Sequence, residues 1–560
     1  MNQSVTAADL PIHRYNTRVA AYGDVSAYVD PDSIELSPQK TLFTNSFVIP
    51  ESPEEARASI YADYWIEAEN EEMRSLLEMR TFDEVDQQQG MNVISTKWVY
   101  SIKWNPNGTV DRFKARLVAR GFKQREGIDF WDTFAATVHA PSIRVFLTLC
   151  LLNKMTIHQI DVKTAFLNGD IDGEIYVRLP GTYACKGKVC LLRKGLYGLR
   201  QSPRLWAKKL NDVLAEMEFH PTKSEQCIFV HSDGSYILVY VDDILIGAKD
   251  VAKVTEIKQR FKAVFTITDI GEVGTFIGID CKRSPDGNFL MLSQERYIDV
   301  LVERFGCENA KDRHGLSALD TIDFSDDVVD DSYPVRSLVG GLLYISNMTR
   351  PDVVAAVSYL SRFLDRPSKR VFKYAKHILK YLKTTKHQTL TLGNIDGTNL
   401  VVYADANYAS IGDRKSQSGG LFKLAGSTVG WHSRKQKSTS TSTTEAEYIA
   451  LGVALNETLW LQHLLEEMHF VVQYPTTIYE DNQPAKAIAT NNRNPVLAKH
   501  IDVKHHAIRD YQLRGYVDVQ YIPTQHQLAD GLTKVMAKAQ NAHLMLGPQN
   551  CGTPQNQGEC

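Results

Sequence analysis

Helix-spaced and strand-like segments alternate along most of the chain, between two polar ends. Apolar residues recur at helical spacing after Glu54, and residues 97–104 read as a strand that runs into an Asn-Pro-Asn-Gly turn at 105–108. Beyond this hairpin, helical and strand-like segments follow one another irregularly to about residue 305. This irregular order favours an α+β architecture over a doubly wound parallel sheet.

The second half of the chain begins with helical spacing and ends with strands. An acidic stretch at 320–331 predicts a domain boundary, and residues 335–386 are predicted to be helical. The apolar stripe of the last of these helices comprises Val371, Phe372, Ala375, Ile378, Leu379 and Leu382. The basic positions on its other faces are Lys369, Arg370, Lys373, Lys376, Lys380, Lys383 and Lys386. Such a row either tracks phosphates or forms a solvated surface. Strands resume at Leu400, and a second α/β unit is predicted to extend to about Lys534.

Composition is that of an ordinary globular protein and limits the function only weakly. A length of 560 residues predicts roughly three to four domains or subdomains. Because the formal net charge is only −3, any surface that binds nucleic acid must be local. Eight cysteines without paired metal-ligand spacing predict reduced thiols rather than a zinc site. The apolar runs at 145–152 and 237–241 are too short to span a bilayer, so we expect a soluble intracellular protein.

Two adjacent carboxylates, Asp242 and Asp243, interrupt an apolar, β-branched stretch at 236–246. The pattern predicts a hairpin of buried strands with the two acids at its tip. Two ionised neighbours repel each other and resist leaving water, and a divalent cation would offset that cost. The alternative is a turn in which Asp is present only because it suits turns.

A third acid, Asp161, closes an apolar strand about eighty residues upstream. Two-metal nucleotidyl transfer needs carboxylates from separate strands, and Asp161 with Asp242 and Asp243 supplies such a set. The segment 159–169 and the Tyr-Val-Asp-Asp turn resemble motifs A and C in the palm of reverse transcriptases of the copia retrotransposon type. The resemblance implies that these three acids are catalytic and bind two Mg²⁺ ions, or Mn²⁺ in their place.

The same resemblance implies roles for residues around these acids. Phe166 follows Asp161 by five residues, where the family has a bulky steric gate against the 2′-hydroxyl of ribonucleotides; the alternative is a core phenylalanine. The basic stretch 112–125 resembles the fingers strand of the family. It implies that Lys114 and Arg116 approach the triphosphate of the incoming nucleotide, whereas the alternative is a solvated basic strand.

A glycine-containing turn at 196–206 resembles motif B of the family, which seats the templating base. The resemblance implies that Tyr197, Gly198, Ser202 and Pro203 contact the substrate. Retroviral enzymes have Gln where this chain has Tyr197, and a Leu-Tyr-Gly-Leu segment is characteristic of copia-type sequences.

Four further acids follow at the ends and starts of predicted elements. Asp405 ends a strand, Glu447 lies near the start of a helix, Asp481 stands at a strand-to-helix junction, and Asp530 comes last. Each acid alone also fits a helix cap or a partner of the helix dipole. Their order together resembles the RNase H fold. That fold implies that the four acids bind a second pair of Mg²⁺ ions and direct hydrolysis of the RNA strand of an RNA·DNA hybrid.

The second region contains two candidate glutamates and a basic cluster. Glu445 and Glu447 both suit the glutamate position, and Glu447 is preferred because small residues, Ala450 and Ala454, follow it on the predicted buried face. A basic cluster comprises His500, Lys504, His505, His506 and Arg509. It lacks a further ligand for a tetrahedral zinc site, which favours a phosphate contact or plain surface.

The resemblance therefore implies an α+β multidomain protein in which a right-hand polymerase precedes an RNase H-like α/β domain. The expected parts are a disordered arm (1–55), fingers, palm and thumb (56–310), a connection with a basic helix (311–395), the RNase H-like domain (396–540) and a disordered tail (541–560). The implied function is RNA-directed DNA polymerase with ribonuclease H activity, acting on an RNA template, a DNA primer, the RNA·DNA hybrid and deoxynucleoside triphosphates. We expect it in the cytoplasm, in virus-like particles or in the nucleus. The alternative is an inactive, truncated or domesticated element fragment that binds nucleic acid.

Overall fold

The computed structural model describes residues 48–104, 109–183, 187–316, 322–393, 395–409, 414–490, 507–535 and 546–547. Its strands in these ranges are β1 (Phe82–Asp86), β2 (Val93–Trp104), β3 (Val110–Ala119), β4 (Thr156–Val162), β5 (Tyr176–Arg178), β6 (Lys188–Leu192), β7 (His220–Pro221), β8 (Ile228–Val230), β9 (Tyr236–Tyr240), β10 (Asp243–Ala248), β11 (Ile267–Glu272), β12 (Thr275–Phe276), β13 (Ile279–Arg283), β14 (Phe289–Ser293), β15 (Leu390–Gly393), β16 (Leu400–Asn407), β17 (Gln417–Leu424), β18 (Ser427–Lys435), β19 (Thr476–Glu480) and β20 (Val517–Tyr521).

Its α-helices are α1 (Pro53–Ala58), α2 (Ala62–Glu78), α3 (Ala140–Leu152), α4 (Ser202–Glu216), α5 (Val251–Val264), α6 (Glu295–Arg304), α7 (Val335–Met348), α8 (Val354–Leu360), α9 (Lys369–Thr384), α10 (Thr443–Glu467), α11 (Gln483–Thr490), α12 (Ala507–Leu513) and α13 (Asp530–Thr533). The mixed α/β, multidomain class expected from the sequence is confirmed. The expected arm and tail lie largely outside the described residues, as does the turn predicted at 105–108.

The first sheet has the order β1-β6-β5-β2-β3 and carries α2 on one face. Alternation along β3 buries Phe113, Ala115 and Leu117 while the residues between them face the other way. Phe113 packs edge-on against Trp65 of α2, with ring centroids 4.6 Å apart. The basic side chains of β3 therefore lie on the face opposite the aromatic core.

The second sheet, in the order β11-β4-β10-β9-β8-β7, is covered on both faces. Ile244 and Ile246 of β10 join the core formed with α4 and α5, whereas Leu245 between them joins the core of α3. Because both faces are buried, this strand is apolar along its length instead of alternating with polar residues. β4 lies inside the sheet, between β10 and β11, so the strand that ends at Asp161 has a neighbour on each side.

The third sheet joins segments that are far apart in sequence. Its order is β12-β13-β14-β15, and β15 begins about a hundred residues after β14. The register pairs Phe289 with Gly393 and Leu292 with Leu390. The sequence did not predict β15, and the chain between these strands forms helices α6 to α9.

Helices α6 to α9 share a core of their own. The apolar stripe predicted on α9 is confirmed, with Val371, Ala375 and Leu379 fully buried. A buried ion pair stands at the start of α8, where Arg350 makes two hydrogen bonds to the carboxylate of Asp352, at 2.8 and 2.7 Å.

The fourth sheet has the order β18-β17-β16-β19-β20. β16, β17 and β18 are antiparallel neighbours, whereas β19 runs parallel to β16 and β20 runs parallel to β19. Helix α10 packs against this sheet through residues such as Ala454 and Leu455. Three antiparallel strands followed by two parallel ones bring the ends of β16 and β19 to the same edge.

A buried arginine joins the second sheet's helix α3 to the fourth sheet. Arg144 donates hydrogen bonds to the carbonyl oxygens of Val429 (2.7 Å) and Asn347 (2.9 Å). Its guanidinium lies 3.8 Å from the ring centre of Trp431. Burial lowers the pKa of Arg144 to about 9. These contacts tie together α3, α7 and β18, three elements that are distant in sequence.

Candidate active sites

The first carboxylate cluster comprises Asp161, Asp242 and Asp243. Asp161 lies directly opposite Asp243 in the antiparallel pairing of β4 with β10, so both side chains project from the same face of the sheet. Asp242 precedes β10 in the turn, and its carbonyl oxygen accepts a hydrogen bond from the backbone N–H of Val162 at 2.9 Å. The fold thus brings together three acids from two segments of the chain.

The turn between β9 and β10 is strained. Val241 has a φ of 56°, a left-handed conformation that is unfavourable for a β-branched residue. The indole N–H of Trp206 donates to the carbonyl oxygen of Val241 at 2.8 Å, which stabilises this conformation. The strained residue stands immediately before Asp242, so the turn decides where that carboxylate projects.

Asp243 is buried, with 4% of its surface exposed. The side-chain amide of Gln159 approaches it with a donor–acceptor distance of 3.3 Å. Asp161 and Asp242 are more exposed than Asp243. The two more exposed acids are therefore the ones that solvent or a substrate can reach.

Aromatic and basic side chains form a continuous stack beside this cluster. The guanidinium of Arg116 on β3 lies over the ring of Tyr197, 5.0 Å from its centre. The Tyr197 ring in turn meets Phe166 edge-on, at a centroid distance of 4.8 Å. Phe166 belongs to a short 3-10 helix, Ala165–Asn168, a few residues after Asp161. The basic strand and the residue predicted as a gate are thus linked through Tyr197.

Lys114 lies beside Arg116 on the same face of β3. The pKa of Lys114 is lowered to about 8, mainly by burial and in part by the neighbouring cations Arg116, Lys103 and Arg112. Because its charged form is disfavoured, Lys114 would be stabilised as a cation by an anion that binds to the same face of β3.

The turn that carries Tyr197 fits closely against β3. A Cβ added to Gly198 would lie 2.1 Å from the carbonyl oxygen of Ala119, and φ at Gly198 is +88°, so only glycine suits this position. The backbone N–H of Ala119 donates to the carbonyl oxygen of Tyr197 at 2.7 Å. Ser202 is buried and donates to the carbonyl oxygen of Leu196, and Pro203 occupies the first turn of α4. Ser202 and Pro203 therefore shape the turn.

In the second carboxylate cluster, three of the four predicted acids converge. Candidate ligand oxygens of Asp405, Glu447 and Asp481 all lie within 4.8 Å of one another. Among the residues that the structure describes, no other three His, Cys, Asp or Glu side chains converge this closely. Asp405 comes from β16 and Glu447 from α10, and Asp481 directly follows β19.

Burial makes these acids costly to ionise. It is the largest cause that raises the pKa of Asp405 and of Glu447 above the usual carboxyl range, and repulsion from neighbouring acids adds to it. Oε2 of Glu447 is buried and has no hydrogen-bond partner among the described residues. A buried oxygen without a donor, beside two further carboxylates, has the chemistry of a cation site.

Glu480 is a member of this environment that the sequence reading did not single out. Its side chain is fully buried, burial raises its pKa well above the usual value, and its Oε2 also lacks a partner within the described part of the chain. Its Oε1 accepts a hydrogen bond from the backbone N–H of Asn482 at 3.0 Å. The alternation of β19 would have indicated it, because Thr476, Ile478 and Glu480 face inward together.

Asp530 lies beside the three converging acids but is not one of them. It begins α13, where its carboxylate accepts a hydrogen bond from Lys534 at 2.5 Å. The hydroxyl of Thr533 donates to Asp405 Oδ2, also at 2.5 Å. Gly419 lies opposite Asp405 in the sheet, and a Cβ there would come within 2.7 Å of Thr533. This glycine allows α13 to approach Asp405.

The structure also separates the two candidate glutamates. Glu445 accepts hydrogen bonds from the backbone N–H and hydroxyl of Thr441, and its own N–H donates to the hydroxyl oxygen of Ser442. These bonds cap the start of α10. Glu447, two residues on, points to Asp405 and Asp481. In the predicted basic cluster, His500, Lys504, His505 and His506 lie outside the described residues.

Comparison with known proteins identifies the class of the first half. Residues 79–314 match the family profile described as "Reverse transcriptase (RNA-dependent DNA polymerase)". The chain is 36% identical over 507 residues to the "Retrovirus-related Pol polyprotein from transposon TNT 1-94" of Nicotiana tabacum, covering 87% of this chain and 38% of that protein. It is 32% identical over 559 residues to the corresponding polyprotein from transposon RE2 of Arabidopsis thaliana, covering 97% of this chain and 38% of that protein.

A yeast relative is matched along its whole length. The "Putative transposon Ty5-1 protein" of Saccharomyces cerevisiae is 33% identical over 308 residues, which are 53% of this chain and 100% of that protein. The chain belongs to the copia-type family of transposon Pol polyproteins. It spans under two fifths of the length of the two plant polyproteins. None of the described helices combines the length and apolarity needed to cross a membrane.

Proposed function

We propose that this chain is an RNA-directed DNA polymerase that also cleaves the RNA strand of the hybrid it makes. In this assignment the first sheet with α2 forms the fingers, the second sheet with α3 to α5 forms the palm, and β12 to β14 belong to the thumb region. Helices α6 to α9 form the connection, and the fourth sheet forms the RNase H-like domain. The strand order of the fourth sheet, three antiparallel strands followed by two parallel ones, supports the last assignment.

One observation carries the polymerase proposal: Asp161 lies opposite Asp243, at the end of β4, with Asp242 in the strained turn beside them. Two-metal nucleotidyl transfer uses carboxylates from two strand ends in this way. Asp161 and Asp242 would bind the cations, and Asp243 would support them from its buried position. The RNA template, the DNA primer and the deoxynucleoside triphosphates are the proposed substrates.

The stack beside this cluster suits nucleotide binding. Arg116 and Lys114 offer positive charge for the triphosphate. Phe166 would lie under the sugar, where its ring excludes a 2′-hydroxyl. Tyr197 contacts both Arg116 and Phe166, so it would link triphosphate binding to sugar selection.

The second carboxylate cluster supports hydrolysis. Asp405, Glu447 and Asp481 fit a divalent cation because their oxygens converge and Oε2 of Glu447 lacks a donor among the described residues. When bound, Mg²⁺ or Mn²⁺ would supply Lewis-acid activation of water and charge neutralisation at the phosphate. Asp530 would act from the edge of this group, where Lys534 and Thr533 orient the surrounding carboxylates. We propose an intracellular location, in the cytoplasm, in virus-like particles or in the nucleus.

Paired single substitutions test both halves of the proposal. Purified protein is given oligo-dT primer on poly-rA with Mg²⁺, and both extension and degradation of labelled RNA are followed. Asp242→Asn should abolish extension and leave degradation of a preformed hybrid intact. Glu447→Gln should abolish degradation of the RNA strand and leave primer extension intact.

The two variants serve as controls for each other, since each must retain the activity it is not expected to lose. Extension by Asp242→Asn at the wild-type rate would sink the polymerase assignment. Hybrid degradation that survives Glu447→Gln would sink the hydrolysis assignment. Absence of both activities in the wild-type protein, with hybrid binding retained, would favour an inactive nucleic-acid-binding fragment.

A further inference from the structure

Helix α9 concentrates positive charge to an unusual degree. Its sixteen residues, Lys369–Thr384, include six lysine or arginine side chains and no aspartate or glutamate. Like charges three or four residues apart on a helix repel one another. Cations in the first turn also oppose the helix dipole. These repulsions destabilise the helix, so the stability of the helix does not explain why so many cations are present.

Part of this charge is used inside the protein. Arg370 pairs with Asp327 of the acidic stretch before α7. Lys383 donates to the carbonyl oxygen of Glu308 at 2.6 Å. Just beyond the helix, Lys386 pairs with Asp299 of α6 at 2.9 Å. These three cations hold α9 against its neighbours.

Three lysines on the same helix are used differently. Three of its lysines, here called the basic rail, form no ion pair with any described residue: Lys373, Lys376 and Lys380. The ammonium group of Lys376 lies 5.7 Å from the ring centre of Phe372. The spacing of the three lysines puts them along one face of the helix over about 10 Å. Duplex nucleic acid presents one phosphate charge per about 1.7 Å of its axis, so a rail of this length meets several phosphates.

His377 lies in the positive electrostatic field of the rail lysines. It lies between the rail lysines in sequence, and its Nδ1 is buried without a hydrogen-bond partner in the described ranges. The pKa of His377 is lowered to about 4, mainly by burial and in part by the charges of Arg313, Lys380 and Lys373. With Tyr374 beside its ring, the histidine stays neutral among three cations. An anion bound at the rail would reduce the repulsion between these cationic side chains.

The rail lies on the element that connects the two candidate sites. Helix α8, which packs with α9, donates from the Ser358 hydroxyl to the carbonyl oxygen of Ser433 on β18 at 3.0 Å. On the other side, β15 follows α9 directly and completes the third sheet beside β14. The rail helix is thus linked through α8 to the sheet that carries Asp405 and through β15 to the third sheet.

We propose that the basic rail binds the phosphate backbone of the RNA·DNA duplex between the polymerase and hydrolysis sites. This inference rests on the proposed function for the identity of the duplex. Three lost phosphate contacts predict that the slope of log affinity against log salt concentration falls by about 2.7, because each contact contributes about 0.9. Binding should weaken most at low salt and equally for all duplex sequences.

The test uses the whole chain and an RNA·DNA duplex labelled for fluorescence anisotropy, without divalent cation so that catalysis plays no part. The rail variant combines Lys373→Gln, Lys376→Gln and Lys380→Gln and is titrated with duplex across a series of salt concentrations. Each single substitution is measured as well, and each should reduce the slope by about 0.9. Thermal melting verifies that every variant is folded.

A matched control removes the same charge from the same region. It combines Arg370→Gln, Lys383→Gln and Lys386→Gln, whose side chains have internal partners, and it should keep the wild-type salt slope. An unchanged slope in the folded rail variant, or an equal fall in rail and control variants, overturns the proposal. If wild-type protein binds the duplex through the rail but never extends a primer, the polymerase assignment is refuted and the proposal of duplex binding by the rail is retained. Binding of the rail to anionic vesicles but not to the duplex would refute the proposal that the rail binds duplex phosphates.

Discussion

Replacing Tyr197 by Ala removes the ring between Arg116 and Phe166. In the structure the guanidinium lies 5.0 Å from the ring centre, and the Phe166 centroid lies at 4.8 Å. If Tyr197 holds Arg116 ready for the triphosphate, its loss should raise the KM for the nucleotide. The turnover number should change much less, because the ring contacts that the substitution removes are those with Arg116 and Phe166.

The size of the effect follows from the two contacts. A cation–π contact contributes about 0.5–2 kcal/mol, and an edge-on aromatic pair contributes about 0.5–1.5 kcal/mol beyond its buried area. Arg116 is half-buried, so a combined loss of about 2 kcal/mol is reasonable. At 1.4 kcal/mol per tenfold change, this corresponds to a rise of roughly 30-fold in KM.

The assay is steady-state extension of oligo-dT on poly-rA with varied dTTP. Tyr197→Phe is the matched control, since it keeps the ring and both contacts, and its KM should stay within about twofold of wild type. A fall in KM for Tyr197→Ala would mean that the stack holds Arg116 away from the nucleotide and would refute the reasoning. Equal defects in Tyr197→Ala and Tyr197→Phe would transfer the role from the ring to the hydroxyl.

Three further predictions concern stability, sugar selection and pH. Asp352→Asn leaves the buried charge of Arg350 uncompensated and should lower the free energy of unfolding in urea by about 3–5 kcal/mol. A smaller decrease in the double variant with Arg350→Met would confirm this cause, and an unchanged free energy of unfolding in Asp352→Asn would contradict it. Phe166→Val should raise incorporation of ribonucleotides relative to deoxynucleotides, by about tenfold on the scale of small steric changes in a pocket, in competition assays; unchanged selectivity would reduce Phe166 to a core residue. Burial raises the pKa of Asp405 and Glu447, so without cation the folded chain binds more protons at these acids than the unfolded chain does, and stability falls as pH rises above the usual carboxyl range. Added Mg²⁺ should therefore raise the melting temperature more at high pH than at low pH, and a uniform rise would contradict a cation site at these acids.

Local pattern was a good guide where neighbouring residues decide the structure. The alternation of β3, the apolar stripe of α9 and the turn at Asp242 follow from spacing that can be read within a few residues. The approach of Asp161 to Asp243 was implied by the family resemblance, because the two residues belong to strands about eighty residues apart in the sequence. Glu447 lies with Asp405 and Asp481, on the helix face marked by the small residues Ala450 and Ala454, and its role as the catalytic glutamate stays a prediction.

Features that depend on distant partners were not foreseeable. β15 is only four residues long, and its partner lies about a hundred residues earlier, so no local pattern reveals the pairing. The stack of Arg116 on Tyr197 joins residues from a strand and a turn that only the folded chain brings together. Glu480 differs from these features, because the alternation of β19 indicates that it faces inward, and only its burial beside the other acids depends on the fold. The junction at Arg144 likewise depends on three elements that are far apart along the chain.

The late pairing of β15 with β14 has a consequence for how the molecule is made. A nascent chain that has emerged only as far as residue 314, where the reverse transcriptase family match ends, carries β14 with one side unpaired. An exposed strand edge of this kind invites pairing with other chains. The edge remains open until about eighty further residues have been synthesised and Leu390–Gly393 can dock. Recombinant polymerase fragments should therefore extend beyond Gly393, and those that stop earlier should aggregate.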